Sequence, residues 1–195
     1  MAKYVQMIVV LTCIALMAGA VLPFAYNAAN IKIAENRDAA MRDTIMAVLP
    51  GAVRVETIVS ESPTVVEEDD ITLAEEPPTQ QRIPLYRGLD GAGNEVGLAF
   101  IAEKPGYGGR IRVMVGIDPA AMKVHRIEIL EQKETPGLGS RIADAEFKNQ
   151  FTGKSLNDPF VVGRDIQGIS GATVSSEAVV DAVRETSQRV LEQER

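Results

Sequence analysis

The sequence predicts an α+β fold: an N-terminal single transmembrane helix, then one domain with a small, mostly antiparallel sheet and packed helices. Three observations carry that expectation. No charged side chain occurs between Tyr4 and Ile31. After Tyr86 come short apolar runs, Val96 to Ala102, Ile111 to Ile117 and Val124 to Leu130, separated by Gly- or Pro-containing turns, as in a strand meander. Beyond them, apolar residues recur at helical spacing. The chain has 195 residues, 46% of them hydrophobic, enough for one core plus appendages.

Taken in order, residues 1–30 read as a cytoplasmic tip and anchor. Met7 to Tyr26 is almost wholly apolar, close to the ~20 residues that span a bilayer as a helix. A signal peptide competes, through Lys3 and a cleavage site at Ala18-Gly19-Ala20. The apolar run, however, continues through Val21, Leu22, Phe24 and Ala25, past the roughly 7–15 residues of a signal core, which favours an uncleaved anchor. Residues 31–52 read as a juxtamembrane helix, with Ile33, Arg37, Ala40, Met41, Thr44, Ile45 and Val48 at helical spacing and Pro50-Gly51 closing it. Residues 53–82 read as an acidic loop or insertion: between Val55 and Gln81 there are eight acidic residues and no basic one. Such a run is a solvated face rather than a cation site, which needs fixed ligand geometry.

Residues 83–195 form the expected core domain. Gly91, Gly93 and Gly97 precede a strand, where a dinucleotide loop would have to follow one, so they read as a hairpin turn. Helices are expected from Ser140, as N-cap, to about Phe151, and from Val174 to about Glu192, the latter burying Ala178, Val179, Ala182, Val183, Val190 and Leu191.

Composition removes several functions. A formal charge of −7 does not suit nucleic acid, which needs clustered Lys and Arg. Cys13 is the single thiol and His125 the single imidazole, so disulfide frameworks, zinc sites and Cys-His dyads are unavailable; no metal ligand and no catalytic residue is assigned. His125, in a strand, is read as a half-exposed surface residue and is assigned no role.

Two segments stand out. In Lys133-Glu134-Thr135-Pro136-Gly137-Leu138-Gly139, Pro136 fixes one dihedral while Gly137 and Gly139 permit positive φ, so backbone can approach something flat or anionic. Locally this is equally a plain turn. In Gly168-Ile169-Ser170-Gly171-Ala172-Thr173-Val174-Ser175-Ser176, small side chains leave Thr173 unobstructed at a helix start, where free N–H groups and the dipole favour a phosphate. Simple N-capping by Thr173, Ser175 or Ser176 accounts for the same residues. A threonine hydroxyl lacking a nearby base is a poor nucleophile, so any modification of Thr173 falls to another protein.

Together these segments resemble the FMN-binding domain family found in the G subunit of the Rnf electron-transport complex and in the C subunit of sodium-pumping NADH:quinone reductase. The resemblance extends over nearly the whole chain: the anchor, Val48-Leu49-Pro50-Gly51-Ala52, Glu134 to Gly139, the stretch from Phe147 to Phe151-Thr152-Gly153-Lys154, and Ser170-Gly171-Ala172-Thr173. It implies FMN joined through its phosphate to the Thr173 oxygen, installed by a separate flavin transferase that uses FAD and Mg²⁺. Ser170, Gly171, Ala172 and Val174 would surround the linkage. Glu134, Thr135, Gly137, Leu138 and Gly139 would pack along the ring, with Lys154 nearby. The implied role is an electron relay with no turnover alone, on the extracytoplasmic side of the bacterial inner membrane, beside other membrane and iron-sulfur subunits. The family pattern has Asp six residues before the modified Thr, where this chain has Gln167. The short length fits the Rnf protein better than its quinone-reductase relative. A third reading, a tethered assembly module without flavin, predicts a colourless protein.

Overall fold

The computed structural model describes residues 39–58 and 83–193, together with residues 3, 4, 6, 7 and 12. Met1–Arg42 and Asp43–Arg195 are separate compact units. The expected anchor lies outside the described residues except at those few N-terminal positions, and no helix among the described residues is long and apolar enough to cross a membrane. The first part of the expected juxtamembrane helix, residues 31–38, likewise lies outside them.

In the second unit, residues 43–48 are helical (α1), and Pro50 and Gly51, the latter at φ 94°, turn the chain away as expected. Five strands follow: β1 (Arg54–Ile58), β2 (Leu85–Leu89), β3 (Glu95–Pro105), β4 (Arg110–Asp118) and β5 (Lys123–Glu131). They form one sheet in chain order, every neighbouring pair antiparallel. β3, β4 and β5 contain the three apolar runs. β1 corrects the reading of 53–82 as loop: it is a five-residue edge strand whose Arg54, Glu56 and Thr57 are exposed, so no buried alternation marks it. Residues 59–82 lie outside the described residues.

One sheet face carries the main core. Leu98, Phe100 and Ala102 of β3 and Ile111, Val113, Val115 and Ile117 of β4 pack with the long C-terminal helix, whose Val179, Val183 and Val190 are fully buried. Each such Val contributes about 1.5–3 kcal/mol relative to exposure. The opposite face is lined by Gly88, Gly97, Ala99, Met114 and Gly116, and α1 delivers Val48 and Leu49 to it. Backbone contact is so close that a Cβ on Gly116 would collide with the Val48 carbonyl, and one on Gly88 would lie 2.7 Å from Leu49 Cδ1. The Arg126 guanidinium donates to the Ala47 carbonyl at 3.4 Å, placing a cation at the negative end of α1.

The register skips His125: Gly116 faces Arg126 and Ile117 faces Val124. Its ring lies over Gly97 with Nε2 3.2 Å from the Val96 carbonyl, half-exposed as expected. Gly91 and Gly93 do form the β2–β3 turn, where Asp90 accepts from the Ala92 and Asn94 N–H groups at 2.8 Å each. Gly97 belongs to β3 instead.

The helix expected from Ser140 to Phe151 is broken. A 3-10 helix (Gly139–Ala143), a single α-helical turn (α2, Ala145–Lys148) and a second 3-10 turn (Asn149–Phe151) take its place. Asp144 is extended at φ −70°, ψ 146°, and Ser140 accepts the Gly137 N–H rather than capping a helix. The interrupted path turns Ile142, Phe147 and Phe151 into one core, where Phe151 stacks on Phe160 at 6.3 Å and meets Phe147 edge-on at 5.6 Å. The final helix (α3, Thr173–Gln193) matches the expectation within a residue at each end.

Substituting Gly116→Ala forces α1 off the sheet and is expected to lower stability by about 1–3 kcal/mol, as overpacking does. Urea unfolding followed by circular dichroism measures it, with Gly93→Ala in the open turn as a reference for positive φ alone.

Candidate functional site

Glu134, just beyond β5, is 6% exposed and holds three segments together. Its Oε1 accepts the Gly108 N–H at 2.9 Å from the β3–β4 turn, and its Oε2 accepts the Ser175 hydroxyl at 2.5 Å from the first turn of α3. Ser175 is itself 2% exposed. A buried carboxylate must be satisfied in this way, because an unpaired one costs far more than the two bonds contribute. Gly139 passes so near that a Cβ would lie 2.8 Å from both Glu134 Oε2 and Ser175 Oγ. Above the clasp the loop folds on itself: the Leu138 and Ser140 N–H groups share the Thr135 carbonyl at 3.2 Å each, and Gly137 takes φ 74°.

On the other side, the Ile169 carbonyl accepts the Ala172 N–H at 2.9 Å, and Gly171 makes the bend at φ 78°. The Ser176 hydroxyl accepts the Ile169 N–H at 3.0 Å and donates to the Ala172 carbonyl at 2.9 Å. The Ser176 N–H also reaches that carbonyl, so Ala172 stands at the N-cap with no side chain to cap anything. The hydroxyls that could have capped are used elsewhere: Ser175 on Glu134, Ser176 on the preceding turn. Thr173 is exposed, and its hydroxyl has no hydrogen-bond partner among the described residues. The first-turn N–H groups of this 21-residue helix point the same way, unmatched within it.

Between the two segments lies a cavity of about 550 Å³, lined by Glu134, Thr135, Leu138 and Gly139 on one side and Gly171, Ala172, Thr173, Val174 and Ser175 on the other. Its size falls within the ~300–1,000 Å³ of small-molecule sites. Three large apolar side chains stand exposed around its mouth: Tyr107 at 78%, Val174 at 51% and Leu138 at 47%. An apolar rim over a floor with one phosphate-ready helix end suits a flat ring carrying a phosphate.

Most of the residues singled out from sequence therefore meet here, with Gly137 on the same loop. Ser170 instead lines a second, smaller cavity. Lys154 does not line the first cavity: it lies beside Asp165 at 3.9 Å, in a segment that pairs antiparallel with the start of β5. Tyr107 and Gly108 were not foreseen. The signal was an exposed aromatic in the glycine-rich turn Gly106-Tyr107-Gly108-Gly109.

Residues 106–188 match the FMN-binding domain family, a span that includes both walls of the cavity. The chain is 28% identical over 191 residues to the G subunit of the ion-translocating oxidoreductase complex of Methanosarcina acetivorans, covering 97% of this chain and 95% of that one. It is 37% identical over 94 residues to the G subunit of the proton-translocating ferredoxin:NAD(+) oxidoreductase complex of Clostridium ljungdahlii, 46% of this chain and 50% of that one. It is 36% identical over 91 residues to the G subunit of the Na(+)-translocating ferredoxin:NAD(+) oxidoreductase complex of Acetobacterium woodii, 43% of each chain. The alignment thus spans about half or less of the length of these two bacterial relatives. In fold, the chain is similar to the crystal structure of Shewanella oneidensis NqrC, with a TM-score of 0.59 at 19% identity, covering 82% of this chain and 98% of that one.

Removing the Ser175 hydroxyl leaves Glu134 Oε2 buried without its donor. Ser175→Ala is therefore expected to cost about 1–3 kcal/mol in thermal or urea unfolding, and more than Ser170→Ala, which removes an exposed hydroxyl.

Proposed function

We propose that this chain, through its FMN-binding domain, is the electron-relay subunit of an Rnf-type ion-translocating ferredoxin:NAD⁺ oxidoreductase complex, with FMN esterified through its phosphate to Thr173. One observation carries the reading: the exposed Thr173 hydroxyl stands at the start of α3, in the wall of a cavity bounded by the Glu134–Gly139 loop. The names of the relatives support the complex, and the family match supports FMN. The anchor expected from the sequence would hold the domain at the bacterial inner membrane on the extracytoplasmic side. Partners would be the other membrane and iron-sulfur subunits, and a separate flavin transferase using FAD and Mg²⁺.

When bound, FMN supplies reversible electron acceptance and release, and the protein supplies position and surroundings. The first-turn N–H groups of α3 would hold the phosphate, and the helix dipole would offset its charge. Leu138, Tyr107 and Val174 would offer apolar surface to the ring. Glu134 holds the two walls at fixed separation through Gly108 and Ser175. The ester removes the dissociation equilibrium that an open-mouthed site would otherwise impose on the cofactor.

The test is in-gel flavin fluorescence after denaturing electrophoresis, on the full chain coexpressed with a flavin transferase in an exporting bacterial host. Wild type is expected to give a fluorescent band and Thr173→Ala none. Folded, exported wild-type protein without fluorescence would overturn the covalent reading and favour a colourless assembly module.

A further inference from the structure

Among the described residues lining the larger cavity, Glu134 is the only acid, and none is Lys, Arg or His. Its carboxylate takes part in no ion pair among the described residues. Both of its partners, the Gly108 N–H and the Ser175 hydroxyl, are neutral donors. The charge is therefore hydrogen-bonded but not neutralised.

A carboxamide would serve the clasp equally well. Its oxygen would accept the Gly108 N–H, its nitrogen would donate to the Ser175 oxygen, and its size is that of the carboxylate. The main chain at this position is held independently, because the Gln132 side-chain oxygen accepts the Glu134 N–H at 2.7 Å. Burying the carboxamide would also cost less, since a carboxylate at 6% exposure gives up most of its hydration for two neutral donors. The fold alone thus favours Gln here. A buried, uncompensated charge kept where a neutral isostere fits breaks a rule of stability, and such breaks belong to working sites.

We propose that the Glu134 carboxylate sets the reduction potential of the flavin and holds it low, an inference that rests on the FMN reading above. In the relay the donor subunit is oxidised while the flavin takes up two electrons and one proton, so the ring gains a negative charge. Reoxidation passes both electrons to the acceptor subunit and returns the proton to water. A fixed negative charge in the wall of the same cavity opposes the reduced state. The other lining groups are apolar or neutral, so little screens that opposition. Ser175 moderates it, because a hydroxyl donated to the carboxylate draws off part of its field. Exposed carboxylates such as Glu56 on β1 lie in water and contribute little.

The experiment is a spectroscopic redox titration of the full chain, loaded by coexpression with a flavin transferase and checked by in-gel fluorescence, with dithionite as reductant and reference dyes. At the ambient potential where wild type is half reduced, Glu134→Gln is expected to raise the ratio of reduced to oxidised flavin at least tenfold, about 30 mV for a two-electron couple. The rise should persist from low to high salt, as expected of a buried charge. Ser175→Ala, which loosens the clasp but keeps the charge, is expected to leave the ratio unchanged or lower it. Glu56→Gln is expected to match wild type. The flavin-free Glu134→Gln chain is expected to melt at or above the wild-type temperature, since both hydrogen bonds survive and a buried charge is gone. A Glu134→Gln ratio within twofold of wild type would overturn the proposal, as would an equal rise in Ser175→Ala, which would trace the shift to loosening. A flavin-free Glu134→Gln chain that melts well below wild type, or one that folds but takes up no flavin, would also overturn it, by assigning the charge to the fold or to loading. Wild type without a flavin band would instead overturn the covalent reading beneath it, a separate result.

Discussion

A single buried carboxylate organises the site. Glu134 joins the β3–β4 turn to the first turn of α3 and to its own loop, through one backbone N–H and one hydroxyl. These elements come from widely separated parts of the chain, so each bond closes a long loop, and burial makes the arrangement nearly all-or-none. The small residues around it follow from the same constraint. Gly139 must be glycine because Glu134 and Ser175 occupy the space of its Cβ, and a Cβ on Gly106 would lie 2.5 Å from Glu134 Oε1. With the clasp in place, the loop and the helix start cannot drift independently. The gap between them is then a formed cavity rather than a fluctuating one.

The same logic operates on the opposite sheet face. Gly88 and Gly116 let the end of α1 settle against backbone, and Arg126 reaches across to the Ala47 carbonyl. The sheet is thus covered on both faces, by α3 with its Val-rich stripe and by a short helix lying on glycines. A strand meander five strands wide needs both covers, because β4 is buried on both faces at Val113, Met114 and Val115.

What the sequence made legible tracks how local the cause is. The cores of β3, β4 and β5 and nearly all of α3 were visible because each shows its own apolar pattern. β1 was hidden because an edge strand of alternating charge has no buried face to announce it. The broken helix after Ser140 was misread because its apolar spacing belongs to a helix, while the path is decided by three phenylalanines, one of them, Phe160, distant in sequence. At the site, Thr173 and the Glu134–Gly139 loop stood out by residue type. That Glu134 reaches Ser175 and Gly108 was not readable, since those bonds join residues 41 and 26 positions apart. Lys154, placed near the flavin by the resemblance alone, lies beside Asp165.

The two cavities share one stretch of backbone and differ in character. On the proposed reading, the resident ring of the larger needs apolar walls and a phosphate-ready helix end, and Leu138, Val174 and α3 meet both needs. The smaller instead presents exposed, charged side chains that solvent screens, as at Arg141, Asp144 and Glu146. Gln150 fixes the backbone of Gln167, and the nearby carboxylates of Asp144 and Glu146 put negative charge on that surface.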